Sequence, residues 1–219
     1  ELEGSRVKNA VWNGEKTEVS ALVAAVGHSA RDTFEMLMKK QIFIEPKPFS
    51  VGVRIEHRQS DVNESLYGKY ADNSMLPSGE YQLSHRNSQG RGVYTFCMCP
   101  GGHVVPAASE EKTTVTNGMS EFLRDGENAN AAVAVSVSSE DFGNGVLDGV
   151  SFARSIERRA FEITGGKTAP ATTVGGFLSG KPDLKTNINA SYDRGVQACD
   201  LTQIFPKYVT DMLVEGLNV

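Results

Sequence analysis

The spacing of apolar residues changes partway along this chain, and that change limits the fold more than any other feature. From Phe49 to Val137 they alternate or form short runs. Examples are Phe49-Ser50-Val51-Gly52-Val53-Arg54-Ile55-Glu56, Gly92-Val93-Tyr94-Thr95-Phe96-Cys97-Met98 and the stretch from Ala131 to Val137. Period two belongs to strands. Beyond them, Val150, Phe152, Ile156, Ala160, Phe161 and Ile163 recur at helical spacing and stop at Gly165-Gly166, a glycine pair suited to a helix end. Strands gathered ahead of helices predict an α+β fold rather than alternating βαβ units. The expected sheet, antiparallel or mixed, takes residues 49–56, 92–98, 103–108 and 131–138, with helices packed on one side.

The front of the chain reads as a separate motif. Residues 5–27 predict a β-hairpin turning at Asn13-Gly14, then a nearly continuous apolar strand from Val19 to Val26, of the kind covered on both faces. Gly27-His28-Ser29-Ala30 leads into a helix from Asp32 to Lys40, with Ser29 or Asp32 as N-cap and Lys39-Lys40 at its C-terminal end. Pro46 and Pro48 break the chain, and residues 57–90 read as polar and irregular. The clearest hairpin signal is strand 92–98, a Cys99-Pro100-Gly101-Gly102 turn and His103-Val104-Val105. Residues 166–200 read as loop-rich, and Leu201–Leu217 as an amphipathic helix with Pro206 near its start.

Composition narrows the function. A formal net charge of −5 over 219 residues, with no long basic run, argues against nucleic acid as the main partner. The longest apolar run, Ala21–Val26, is far short of the ~20 residues of a membrane helix. The opening Glu-Leu-Glu-Gly has no signal-peptide pattern. It also lacks an initiator Met, which suggests a piece of a longer protein. Three cysteines are too few for a disulfide scaffold and suit a cytoplasmic protein.

Four places carry candidate chemistry. The strand-to-helix junction Gly27-His28-Ser29-Ala30 puts backbone N–H groups where a phosphate or flavin edge can meet them, although such a junction is also an ordinary turn. Cys97-Met98-Cys99 reads as a redox pair, a metal half-site or a nucleophile with His103 as base. Plain apolar packing of two cysteines on one strand face is the simpler alternative. Zinc is not expected, because no CxxC pair supports it. Pro100-Gly101-Gly102 is either a turn or a loop whose missing side chains admit a flat ligand. Arg91, Arg124 and Arg31 are candidates for binding a carboxylate or phosphate, with a solvated surface role as the plain alternative for each. No Walker motif, GxGxxG fingerprint or GxSxG elbow is present.

Taken together, Ala25–Thr33, Lys47–His57, Gly90–Gly102, Ala107–Glu111, Val115–Ser120 and Arg124–Asn130, with Gly27-His28-Ser29-Ala30-Arg31-Asp32-Thr33 and Phe96-Cys97-Met98-Cys99-Pro100-Gly101-Gly102 the most specific parts, resemble one family. It is the uncharacterised FAD-dependent dehydrogenases, often labelled NAD(FAD)-utilising dehydrogenases, and the likeness spans roughly residues 5–215. The resemblance implies a bacterial flavoprotein with a split Rossmann-type FAD domain and a substrate or cap domain inserted between its halves. Residues 1–44 then belong to the split FAD domain and 45–219 to the inserted domain.

On that basis the chain is expected to be the substrate-side portion of an FAD-dependent oxidoreductase. Gly27, His28, Ser29, Ala30, Gly101 and Gly102 approach the cofactor, Arg91 or Arg124 orients a small-molecule substrate, and Cys97 and Cys99 are the catalytic candidates. FAD is the implied cofactor, NAD is allowed by the family label, and the partner is the rest of the FAD-binding domain. The glycine fingerprint and the flavin-closing segment are missing from these 219 residues, so this piece alone is expected to be inactive. The competing expectation is a binding or interaction module without flavin chemistry of its own.

Overall fold

A computed structural model describes residues 1–4 and 6–219. Ser5, the first residue of the expected hairpin segment, lies outside the described residues. The chain divides into two compact units, Glu1–Ile44 and Glu45–Val219.

The first unit holds β1 (Leu2–Glu3), β2 (Arg6–Val7), β3 (Asn9–Trp12), β4 (Glu15–Glu18) and α1 (Arg31–Lys39). β3 and β4 form the expected hairpin, with Trp12 opposite Glu15. Asn13 and Gly14 both have positive φ, 51° and 84°, the geometry of the two-residue turn that matches strand twist. The strand expected over Val19–Val26 does not form, and Leu22, Val23 and Val26 are exposed. An isolated strand has no ladder to satisfy its backbone, so apolar composition alone does not make one. Ala30, rather than Ser29 or Asp32, occupies the N-cap of α1 without a side-chain hydrogen bond. The Asp32 carboxylate accepts the Thr33 N–H instead, at 2.8 Å.

The second unit runs β5 (Phe49–Arg58), α2 (Gln59–Tyr67), a 3₁₀ turn (Gly68–Tyr70), β6 (Ser84–Arg86), β7 (Gly92–Cys99), β8 (Gly102–Pro106), β9 (Thr116–Ser120) and β10 (Asn128–Val137). It continues with α3 (Ser139–Phe142), α4 (Asp148–Glu162), β11 (Ala169–Ala171), α5 (Val174–Ser179), β12 (Val196–Ala198), a 3₁₀ turn (Leu201–Gln203) and α6 (Lys207–Leu217). The main sheet is antiparallel in the order β5-β10-β7-β6. β8 pairs antiparallel with β9, and β11 pairs parallel with β12. The fold is therefore α+β with mixed sheets and peripheral helices.

Several expectations for this unit are corrected, among them the helix over Leu201–Leu217, which begins only at Lys207, after a 3₁₀ turn at Leu201–Gln203, with Pro206 at its N-cap because proline has no N–H for a helix interior. β7 and β8 do not form a hairpin, and 103–108 does not join the main sheet. Both edges of β7 are already hydrogen-bonded, to β10 and β6, so the strand beyond the Gly101-Gly102 turn has only β9 to pair with. The polar stretch 57–90 is also not irregular throughout, because it contains α2 and β6. The core face of α2 is narrow, with Val62 and the polar Gln59 as its buried residues, and a polar buried residue hides a helix from periodicity.

The core forms on one face of the sheet. Val133, Val135 and Val137 of β10 and Val93 of β7 pack with Ile156 and Ala160 of α4 and Val209, Met212 and Leu213 of α6. Gly216 lets α6 settle onto β7, since a Cβ there would lie 2.5 Å from Val93 Cγ1. The register places Ser50, Gly52 and Arg54 of β5, Ala132, Ala134 and Ser136 of β10, and Tyr94 of β7 on the other face. That face is built from small and polar side chains, with Ser50 Oγ 2.7 Å from the Tyr94 hydroxyl.

Burial sets the expected cost of truncation. Leu213→Ala, at a side chain with no exposure, should lower stability by about 3 kcal/mol. Leu22→Ala, 60% exposed, should change it by less than about 0.5 kcal/mol. Urea denaturation of the two variants measures the difference, and equal midpoints would contradict the assigned core.

Candidate functional site

The site grows from an irregularity in β7. Asn130 of β10 lies opposite Cys99 while Ala132 lies opposite Phe96, so β7 carries one extra residue across that step. Such a bulge kinks a strand and re-aims its side chains. Cys97 occupies it with φ of 47°, a left-handed conformation that costs a non-glycine residue roughly 1–2 kcal/mol. The bulge also breaks the alternation expected of the two cysteines. Cys97 is exposed and Cys99 is buried, and both are free thiols.

Arg54 holds this strained turn from β5. Its Nη2 donates to the Cys97 carbonyl at 2.7 Å, its Nε to Asn130 Oδ1 at 2.7 Å and its Nη1 to Asn117 Oδ1 at 3.2 Å. One planar guanidinium thereby ties four strands, β5, β7, β9 and β10, at a single point. Gly118 makes room for it, because a Cβ there would come within 2.2 Å of Asn130 Oδ1 and 2.4 Å of Arg54 Nη2. Cys99 Sγ lies 3.7 Å from Arg54 Nη2 and contacts the Cys97 carbonyl at 3.5 Å. Burial raises the Cys99 pKa and Cys97 adds to the rise, against the opposing pull of Arg54. Cys99 is thus a protonated, packed thiol at neutral pH, and Cys97 is the one that meets solvent.

The glycine pair serves the same construction. Gly101, with φ of 53°, donates its N–H to Gln59 Oε1 at 2.7 Å. A Cβ on Gly101 would lie 2.0 Å from the Arg124 carbonyl, and one on Gly102 2.3 Å from the Met119 carbonyl. The space beside both glycines is filled by the chain's own backbone. Gln59 spans the turn and the loop below it, with Nε2 donating to Asn63 Oδ1 and to the Gly79 carbonyl at 2.8 and 3.0 Å. Ser120 Oγ completes the clamp by donating to the Pro100 carbonyl at 2.8 Å.

Next to the bulge, His57 Nε2 and the Tyr81 hydroxyl share a hydrogen bond of 2.5 Å, and the Tyr81 N–H reaches Met98 sulfur at 3.0 Å. Burial lowers the His57 pKa below its ordinary 6.5, against Asp61 and Glu56, and burial raises that of Tyr81. Sequence reasoning passed over Arg54, Asn130, Gln59 and the His57–Tyr81 pair. The alternating polar positions Ser50, Gly52, Arg54 and Glu56 were the signal that one face of β5 had work other than packing.

The remaining candidates are placed as follows. Arg91 forms a two-pronged pair with Asp141 at 2.8 Å on each arm, donates to the Ser136 carbonyl, and stacks 4.7 Å above the Tyr208 ring. These bonds tie β7 to α3 and α6, and they hold the Asp141 carboxyl below its usual range. Arg124 has φ of 52°, is exposed and lies 3.7 Å from Glu80. Gly27 has φ of 75°, Gly27, His28 and Ser29 are exposed, and a Cβ on Gly27 would meet nothing within 4 Å. His103 lies on β8 opposite Met119 and has no hydrogen bond to either thiol among the described residues. No group of three or more His, Cys, Asp or Glu side chains able to hold a metal occurs among them. Nor is any helix among them long and apolar enough to cross a membrane.

The flavin can be tested against these residues. The Cβ side of Gly101 and Gly102 is filled by backbone, whereas a Cβ on Gly27 would meet nothing within 4 Å. Beside Cys97, the Phe96 side chain is 63% exposed.

Two measurements follow. In the folded protein a disulfide-exchange reagent should modify Cys97 rapidly and Cys99 and Cys199 only on unfolding. A Cys97→Ser variant that keeps the fast phase would contradict this. For His57, the folded state binds its proton less readily than the unfolded chain. Its contribution to stability is complete above pH 6.5 and is lost as pH falls through the lower folded value. His57→Gln should flatten the dependence of the urea midpoint on pH below 6.5, and an unchanged slope would show that another group sets it.

Residues 48–219 match the model of the family described as "FAD-dependent protein, C-terminal domain-like". An uncharacterized protein of Clostridium beijerinckii (strain ATCC 51743 / NCIMB 8052) is 43% identical over 216 residues. That alignment covers 97% of this chain and 40% of the relative, so the chain spans well under half of that protein's length. The match extends from the first residue of the sheet to the end of α6 and includes the bulge, Arg54 and the glycine turn. Through residues 48–219, the chain belongs to the family described as FAD-dependent protein, C-terminal domain-like.

Proposed function

We propose that this chain is the substrate-side part of an FAD-dependent oxidoreductase, with Cys97 as the thiol that meets the reacting molecule. The observation that carries the reading is the bulge. A free, exposed cysteine is held in a strained conformation by the half-buried Arg54 guanidinium, inside a domain whose family is FAD-dependent. Strain maintained by surrounding bonds is characteristic of functional positions.

In this reading residues 1–44 belong to the FAD-binding domain of the whole protein, and Gly27–Ala30 approach the cofactor. Residues 45–219 form the substrate or cap domain. FAD supplies the electron transfer when bound, and a nicotinamide nucleotide is the donor or acceptor to try first. The chain's own residues position and shield. Arg54 fixes the Cys97 carbonyl, Cys99 and Gln59 keep the turn beneath it rigid, and Phe96 excludes water. Arg124, whose guanidinium is exposed, is better placed to take an anionic substrate than Arg91, whose donors are already engaged.

The test uses the full-length gene product that contains this sequence. It should purify with the absorption bands of a flavin. Cys97→Ser should slow flavin reduction by NADH or NADPH, or reoxidation by an acceptor, by about tenfold or more, equivalent to ~1.4 kcal/mol in the barrier. Cys99→Ser should act mainly on stability. A colourless full-length protein would sink the flavoenzyme reading and favour a binding module. Unchanged rates in the Cys97 variant would remove the thiol's role.

A further inference from the structure

A cavity of about 250 Å³ opens in the second unit, and none of the residues around the Cys97 bulge lines it. Three cations converge there from separate parts of the chain. Lys112 comes from the loop between β8 and β9, Lys167 from the loop between α4 and β11, and Arg194 from the approach to β12. The only acidic lining residue is Glu110, and Arg154 takes both of its oxygens at 2.7 and 2.8 Å. Asp193 and Glu111 adjoin Arg194 and Lys112 in sequence without lining the cavity. Lys112, Lys167 and Arg194 form no ion pair among the described residues. Three like charges around one small space repel one another, and a polyanion placed between them removes that cost.

The rest of the cavity wall suits an organic anion. Thr168 and Tyr192 contribute hydroxyls, and Tyr192 is only 7% exposed. Val115 and Phe161 form an apolar side. Gly166 shapes it, since with φ of 76° its Cβ would lie 2.0 Å from the Phe161 ring. Lys112 also has positive φ, 56°, in the loop that brings it to the cavity. Three positive groups exceed what one carboxylate neutralises and match a phosphoryl group that carries two or more negative charges.

We propose that this cavity is a binding site for a phosphate-bearing small molecule, with Lys112, Lys167 and Arg194 holding the phosphoryl oxygens and the Val115–Phe161 wall taking the organic part. The site is independent of the oxidoreductase reading above.

Calorimetric titration with inorganic pyrophosphate tests it, in buffers matched in ionic strength with KCl. The chain should bind with Kd below about 1 mM, and Lys167→Gln and Arg194→Gln should each weaken binding about tenfold. Circular dichroism confirms that the variants fold, and Lys185→Gln, at an exposed lysine that does not line the cavity, should bind normally. A parallel titration with citrate identifies the chemistry. Binding absent in wild type, or unaffected by both cavity substitutions, overturns the proposal, and citrate binding as tightly as pyrophosphate overturns the phosphate assignment.

Discussion

The main sheet of the second unit centres on β10, which is hydrogen-bonded along both edges, to β5 and to β7. Its residues on one side, Val133, Val135 and Val137, are almost wholly buried beneath α4 and α6. A strand paired on both edges cannot slip by one residue without turning that row outward. The register of the sheet is therefore fixed by burial, and the single place where β7 departs from it is also where Cys97 leaves the ladder.

That departure is held by charge rather than by packing. Arg54 and Asn130 are 76 residues apart in sequence and bond at 2.7 Å, with Asn130 completely buried. A buried amide oxygen is costly unless it accepts a hydrogen bond, and the half-buried Arg54 guanidinium supplies one to Asn130 Oδ1. The Gly118 gap, the filled Gly101-Gly102 turn and the Gln59 clamp then follow as requirements of bringing backbone and side chains this close. Rigidity beneath Cys97 and exposure above it are two consequences of one arrangement.

What could be read in advance was local. The Asn13-Gly14 turn, β5, β10, α1, α4 and α6 each announce themselves within a dozen residues through turn chemistry or periodicity. The misreadings also have a local cause. Val19–Val26 has strand composition but no ladder, α2 buries the polar Gln59, and β8 follows a turn that resembles a hairpin although β7 has no free edge. The motif around Cys97, Cys99 and the glycines was visible, but the division of labour within it was not. One added residue in β7 separates an exposed thiol from a buried one.

The sequence by itself determined the class of fold, the positions of the longest elements and the family, because periodicity, turn dipeptides and a contiguous motif are properties of neighbouring residues. Only the tertiary structure decided which strands pair, which thiol meets solvent, that Arg91 belongs to Asp141, and that Lys112, Lys167 and Arg194 surround one cavity. These depend on contacts between residues tens of positions apart. The free energy of such contacts comes from burial and pairing in three dimensions, and it leaves no trace in local spacing.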